Sequence, residues 1–421
     1  MINTTGPTLS RRAFALGVGS AGLSAPVWAQ QVPRAAYQGC GLDVLADNGK
    51  LAGDGKAFAL LTHAGAIDAR GRRSVDVVKS LLGDRLVALL SPEHGLGGKA
   101  AAGEAVGDTR DAASGLPVTS LYGARREPPA ELLGRIDMLI IDLQDVGLRP
   151  FTYAATMVDA MRAASTAGVR VLVLDRPNPL GGLAVDGPRP EEGFTSPVAA
   201  LPLPFRHGLT IGEIAQFMFQ HLRLEGDLEV VHNQSWQRAD RTGIWRGKLA
   251  RPFAAPSPNL RSPKAVLAYA ASVLVEGTNL SEGRGTARPF ETIGAPWCQS
   301  QRLAKAMTAL ALPGVRFAPL TFTPSTSKHA GKRCGGVRFE VLDEESYDPL
   351  LTGLSLIAAT SRLHPGALAF LPGERPFFAL LIGNGWVRQA LLAGDAPAAI
   401  VMRWQSDVAV FASARKPYLL Y

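Results

Sequence analysis

Between residues 56 and 231 short, continuous apolar runs alternate with amphipathic stretches. The runs at 56–61, 86–90, 118–121, 138–143, 169–174 and 228–231 read as strands. The stretches at 74–82, 128–133, 152–167 and 211–222 read as helices, the first with Val75, Val77, Val78, Leu81 and Leu82 on its apolar face. Pro128 opens a helix where proline is tolerated, and Gly168 closes one. Strands apolar on both faces and separated by helices predict a parallel sheet covered on both sides, an α/β arrangement. From residue 233 the pattern changes. A loop-rich passage runs to 263, followed by helices at 264–275, 304–312 and 351–362 and strands at 315–322 and 336–342. That order predicts a smaller α+β domain, with the boundary near 245, so that residues 30–245 and 246–421 form the two domains.

The first 29 residues read as an export signal rather than as fold. Ser10-Arg11-Arg12-Ala13-Phe14 precedes a weakly apolar Gly/Ala-rich stretch, and Val27-Trp28-Ala29 offers small residues for cleavage. The paired arginines resemble the twin-arginine type, which places the mature protein in the periplasm. Gly17-Val18-Gly19-Ser20-Ala21-Gly22 fits a dinucleotide fingerprint, but no strand precedes it and the segment is expected to be removed. The formal charge of +8 falls to +6 once Arg11 and Arg12 leave. Basic residues are scattered, which argues against nucleic acid as a partner, and no apolar run in the body is long enough to span a membrane. Hydrophobic residues at 47% exclude a disordered chain. Three cysteines, Cys40, Cys298 and Cys334, allow at most one internal disulfide and do not say which.

Ligands of parallel sheets gather beyond the carboxyl ends of the strands. There this chain carries Thr62-His63-Ala64-Gly65, Ser91-Pro92-Glu93-His94-Gly95, Leu121-Tyr122-Gly123, Gln144-Asp145-Val146-Gly147 and Asp175-Arg176-Pro177-Asn178-Pro179. Gly, Pro, Asp and Asn also serve ordinary turns, but these loops add His, Glu, Tyr, Gln and Arg. Glycoside cleavage needs a carboxylic acid to protonate the leaving oxygen, and a second carboxylate or a neighbouring sugar group at the anomeric carbon. Glu93, fixed between Pro92 and His94, is the best acid; as a plain loop carboxylate it would instead cap a helix or pair with an arginine. Asp142, Asp145 and Asp175 are rival strand-end acids, and Asp175 beside Arg176 also reads as an internal ion pair. In Ser281-Glu282-Gly283-Arg284-Gly285-Thr286, two glycines around an arginine let the backbone approach a ligand while the guanidinium meets an anion, or simply make a tight loop. Asn178 and Asn259 are stiffly held amides suited to sugar groups or to turns, and His63, His94 and His207 are the cleft histidines. Metal-binding, serine-hydrolase and P-loop patterns are missing from the sequence, so no cofactor is expected.

The loops Ser91-Pro92-Glu93-His94-Gly95, Ile141-Asp142-Leu143-Gln144-Asp145-Val146-Gly147, Asp175-Arg176-Pro177-Asn178-Pro179, His207-Gly208-Leu209-Thr210, Pro256-Ser257-Pro258-Asn259 and Ser281-Glu282-Gly283-Arg284-Gly285-Thr286 resemble the exo-β-N-acetylmuramidases of the NamZ type, formerly a domain of unknown function. The likeness spans about residues 38–421. It implies a Rossmann-like N-terminal domain, a smaller C-terminal domain, a cleft between them, and release of N-acetylmuramic acid (MurNAc) from non-reducing ends of peptidoglycan fragments. Glu93 falls on the family's proposed catalytic glutamate. The 2-acetamido group, steadied by Asp142 or Asp145, would serve the anomeric carbon; water activated by one of those acids is the competing route. Gln144, Tyr153, His207, Glu282 and Thr286 join the substrate-binding set through the same motifs. Two departures stand out. Leu96-Gly97-Gly98-Lys99 replaces the family's Phe-Arg-Gly continuation, leaving Lys99 and Arg284 as cations for the lactyl carboxylate. Leu148-Arg149-Pro150-Phe151 replaces Ala-Arg-Phe-Tyr, although Tyr153 remains. A non-catalytic muropeptide binder of the same fold is the alternative, and a nucleotide-dependent oxidoreductase a weaker one without a usable glycine fingerprint.

Overall fold

The computed structural model describes residues 39–421 except residue 235 and residues 246–250. The expected export segment and the expected start of the second domain at 246–250 lie outside the described residues. The described residues make one compact unit.

In chain order, α1 (Gly41–Asp47) is followed by β1 (Phe58–Thr62), α2 (Ser74–Leu82), β2 (Leu86–Ser91), β3 (Thr109–Arg110), β4 (Pro117–Ser120), α3 (Ala130–Leu133) and β5 (Met138–Asp142). Then come α4 (Tyr153–Thr166), β6 (Arg170–Leu174), α5 (Ile211–His221) and β7 (Leu228–Val231). The seven strands lie in the order β3-β4-β2-β1-β5-β6-β7, all parallel except β3 on the edge. Residues on β1 alternate between two apolar layers. Ala59 and Leu61 face α4 and α5, whereas Phe58 and Leu60 face α1 and α2. Each layer covers one side of the sheet, as the uninterrupted apolar runs require.

The remaining chain forms α6 (Pro263–Ser272), β8 (Thr292–Ala295), α7 (Ser300–Ala309), β9 (Val315–Phe322), β10 (Cys334–Val341), α8 (Pro349–Leu363), α9 (Phe377–Ile382), α10 (Trp386–Ala393), α11 (Pro397–Arg403) and α12 (Gln405–Ala414). Its three strands pair antiparallel in the order β8-β10-β9. The α/β reading holds, with a mostly parallel sheet and a smaller antiparallel one. The sequence pattern misses α1, β3, β8 and the four helices after residue 376; all are short, and too few residues are present for a period to show. The apolar layer on the α4 side continues without a break through Leu267, Leu274, Phe290, Leu354 and Phe411. No helix among the described residues is long and apolar enough to cross a membrane. Cys40, Cys298 and Cys334 are buried free thiols.

Candidate active site

Because β1, β2, β4, β5 and β6 run parallel, the loops after them emerge at one sheet edge. A cavity of about 630 Å³ opens there, in the size range of small-ligand sites. Glu93 and His94 line it from the loop after β2, Tyr122 from the loop after β4, and Pro150, Phe151 and Thr152 from the approach to α4. Later segments complete the wall with Asn259, Tyr269, Glu276, Glu282, Arg284, Phe290 and Lys328.

Glu93 is only 8% exposed, with its carboxyl in this wall. Its Oε1 accepts the Gly103 N–H at 2.8 Å, and its Oε2 takes the Thr152 hydroxyl at 2.7 Å. The Tyr122 hydroxyl also bonds this carboxyl; burial first, then the Glu93 charge, pushes the phenol up to about 12, so Tyr122 donates as a neutral group. His94 Nδ1 lies 2.8 Å from the Ala100 carbonyl, which accepts only, so that nitrogen carries the proton. Burial holds His94 below the ordinary histidine range. Six non-glycine residues among those described adopt positive φ, and three of them, His94, Phe290 and Ser327, line this cavity. For a bulky Phe290 at φ 67° such a conformation is costly, and strain of this kind concentrates at ligand sites.

Opposite, four charges close on one another. Arg284 donates to Glu276 at 2.7 Å and lies 3.1 Å from Glu282, whose other oxygen is 3.1 Å from Lys328 Nζ. Burial raises Glu276 despite Arg284 beside it. Lys328 also donates to the carbonyls of Val275, Glu276 and Leu280. Arg284 lies over the Phe290 ring, 5.0 Å from its centroid.

The N-terminal model of the exo-β-N-acetylmuramidase NamZ family matches residues 58–264, and its C-terminal model matches residues 267–421. The chain belongs to the NamZ family. It is 40% identical to the peptidoglycan β-N-acetylmuramidase NamZ of Bacillus subtilis over 384 residues, 90% of this chain and 91% of that one. Two Bacteroides fragilis crystal structures of DUF1343 family proteins superpose on it, with TM-scores of 0.82 and 0.70 and identities of 30% and 31%. Each comparison covers 91% of this chain and 98% of the other.

In this NamZ-family chain only part of the expected site set reaches the cavity. Glu93, His94, Asn259, Glu282 and Arg284 do. The Asn259 amide has no protein hydrogen bond among the described residues and is left for a ligand. Asp142 does not line the cavity. It is fully buried and forms a two-point pair with Arg176, Nε to Oδ1 at 2.5 Å and Nη2 to Oδ2 at 2.9 Å. Arg176 therefore pairs with the strand-end acid of β5 rather than with neighbouring Asp175, which accepts from Thr210, Asn233 and Tyr421 instead. Asp145 is also withdrawn: Oδ2 accepts the Gly147 N–H and lies 3.4 Å from His207 Nε2, while Nδ1 of that histidine accepts the Leu209 N–H.

The other expected binding residues serve the framework. Gln144 donates its amide to the carbonyls of Asp145 and Pro177, and Asn178 ties Leu209 to Leu180. Tyr153 donates to the Pro256 carbonyl. His63 takes the Gln144 N–H at 3.0 Å and lies in van der Waals reach of Tyr153, with ring centroids 4.7 Å apart. Thr286 closes its own loop by donating to the Gly283 carbonyl. Lys99 is exposed and outside the cavity wall. Gly283 and Gly285, at φ 82° and 77°, make room for the backbones of Thr292 and Thr326 rather than for a ligand. The sequence reading missed Tyr122 as a site residue, along with Thr152, Glu276 and Lys328. The strand-edge rule reaches Tyr122, one residue past Leu121; nothing near Lys328 marks a hairpin loop that folds back onto residues 276–285.

Proposed function

We infer that this chain is a glycoside hydrolase, an exo-β-N-acetylmuramidase acting on peptidoglycan, with Glu93 as its proton donor. The observation that carries the assignment of Glu93 is its position: a carboxyl in the wall of the cavity, held at both oxygens. Glu93 gives its proton to the bridging oxygen as the bond from that oxygen to C1 breaks, and the bonding pair stays with the leaving sugar. The cation left at C1 is met by the substrate's own 2-acetamido oxygen or by water. Asp142 and Asp145 take no part, because the first is locked to Arg176 and neither lines the cavity. Glu276 and Glu282 are the carboxylates that face this step. Asn259 suits the acetamido group, and the Arg284 guanidinium edge, a cation of the cavity wall beside Lys328, suits the lactyl carboxylate.

The substrates proposed are peptidoglycan-derived glycans that carry MurNAc at the non-reducing end. The paired Arg11-Arg12 and the Val27-Trp28-Ala29 exit support export to the periplasm and a role in cell-wall turnover. The test is digestion of a defined MurNAc-GlcNAc disaccharide, with products read by mass, by wild type and Glu93→Gln. Wild type releases MurNAc; the variant binds substrate and keeps its melting temperature, but turns over at least about a hundredfold more slowly. Binding without release by wild type would make the protein a muropeptide binder instead.

A further inference from the structure

Thr152 immediately precedes α4 with φ −70° and ψ −8°, a helical conformation rather than the extended one from which a cap threonine accepts a backbone N–H of the first turn. Here it makes no such cap bond and is turned to Glu93 Oε2 at 2.7 Å. The hydroxyl serves a carboxyl 59 positions earlier. The hydroxyl is also well fixed: Thr152 is buried, its β-branched side chain has few rotamers, and its carbonyl is held by Thr156.

The two oxygens of Glu93 are not equivalent. Oε1 faces the N–H of Gly103, which donates and never accepts. The Gly103 N–H, which can only donate, is best met by the unprotonated, carbonyl-like oxygen, so the acid form of Glu93 favours its proton on Oε2. A hydroxyl, unlike an N–H, serves Oε2 in either protonation state. It donates to the remaining lone pair while Oε2–H points to the substrate, and to the charged oxygen once the proton has gone.

We propose that Thr152 is a positioning residue for proton donation: its hydroxyl orients the Oε2 of Glu93, the oxygen that carries the transferred proton. The inference rests on Glu93 being the acid, and it assigns the atom and the group that aims it. In the transfer the Oε2–H bond breaks, the proton joins the bridging oxygen, and the pair of the C1–O bond goes to that oxygen. Thr152 gains and loses nothing.

The experiment compares wild type, Thr152→Val and Thr152→Ser on two substrates with the same MurNAc group. One is the disaccharide with a GlcNAc leaving group, which needs protonation; the other is a 4-nitrophenyl glycoside, whose phenolate leaves with little help. Thr152→Val lowers kcat on the disaccharide by at least about tenfold, with KM changed by less than about twofold. On the nitrophenyl substrate its kcat falls by less than about threefold, and Thr152→Ser restores most of the loss on the disaccharide. Equal losses on both substrates, or a loss confined to KM, overturn the proposal. If Thr152→Val is poorly folded, the Thr152→Ser variant still tests it: a serine that fails to keep the disaccharide rate within about threefold of wild type, at unchanged melting temperature, also overturns it. Failure of wild type to cleave either substrate refutes the functional reading itself, whereas cleavage with an indifferent Thr152→Val refutes only this one.

Discussion

Two polar clusters sit at the same edge of the parallel sheet, and they differ in what their side chains have left to offer. Beyond β1, β5 and β6, Asp142, Arg176, Gln144, Asn178 and His63 spend their polar atoms on one another or on backbone. Beyond β2 and β4, Glu93 and Tyr122 face an opening, joined from the later chain by Asn259, whose amide has no hydrogen-bond partner among the described residues. Both clusters combine carboxylate, amide and other polar side chains. A motif of chemically able residues therefore marks a place in the fold, and only the hydrogen-bond partners tell a framework from a reacting surface.

Substitutions break this comparison in graded ways. The largest effect belongs to the closed cluster. Arg176→Met leaves Asp142 charged and unpaired in the interior, and the expected loss is about 3–5 kcal/mol of unfolding free energy, read by denaturant titration. Specific activity of the molecules that stay folded should be near that of wild type; a large fall in turnover with stability intact would mean that this pair belongs to the reaction.

Acid provides the next test. Burial first, then the nearby Arg176 charge, holds His63 well below the ordinary histidine range. The unfolded chain takes up a proton at this residue as pH drops through about 6.5, and the native state does not. The unfolded state then binds more protons, so stability falls as pH drops below about 6.5. His63→Gln should lose this part of the slope in melting experiments between pH 7 and 5. An unchanged slope would place the acid sensitivity elsewhere.

The open cluster should respond in binding rather than in stability. Asn259→Ala is expected to raise KM about fivefold to tenfold, equivalent to about 1 kcal/mol, with melting temperature unchanged. The smallest effect is reserved for Lys99→Ala, whose kinetics should match wild type within about twofold because an exposed charge is well screened. A KM effect at Lys99 as large as that at Asn259 would move the anion-binding role back to the loop after His94.

Much of the fold was legible because each layer of the parallel sheet needs apolar residues on both faces, and 58–61, 138–141 and 171–174 show it as unbroken runs. The glutamate of the loop after β2 was legible for the same topological reason. The partition of the remaining motifs was not. Asp142 reads as a strand-end acid, and only the fold shows that Arg176, 34 residues on, fills both its oxygens. Lys328 and Glu276 are brought together by a β9–β10 hairpin loop that lies 52 positions from Glu276 in the chain, so no spacing in the sequence announces them. Thr152 was hidden differently. Its neighbours read correctly as a helix start, and the sequence offers no sign that its hydroxyl serves something other than that helix.

The uninterrupted apolar layer from the parallel sheet into the later helices bears on how the enzyme can be taken apart. The family's two models part between residues 264 and 267, within the first turn of α6, but a cut there would strip water-avoiding surface from both pieces. Either fragment expressed alone should aggregate, and neither should regain activity unless they are refolded together. The same seam leaves no lubricated joint for wide opening and shutting, so sugar entry and product exit must go through the mouth of a vessel already built.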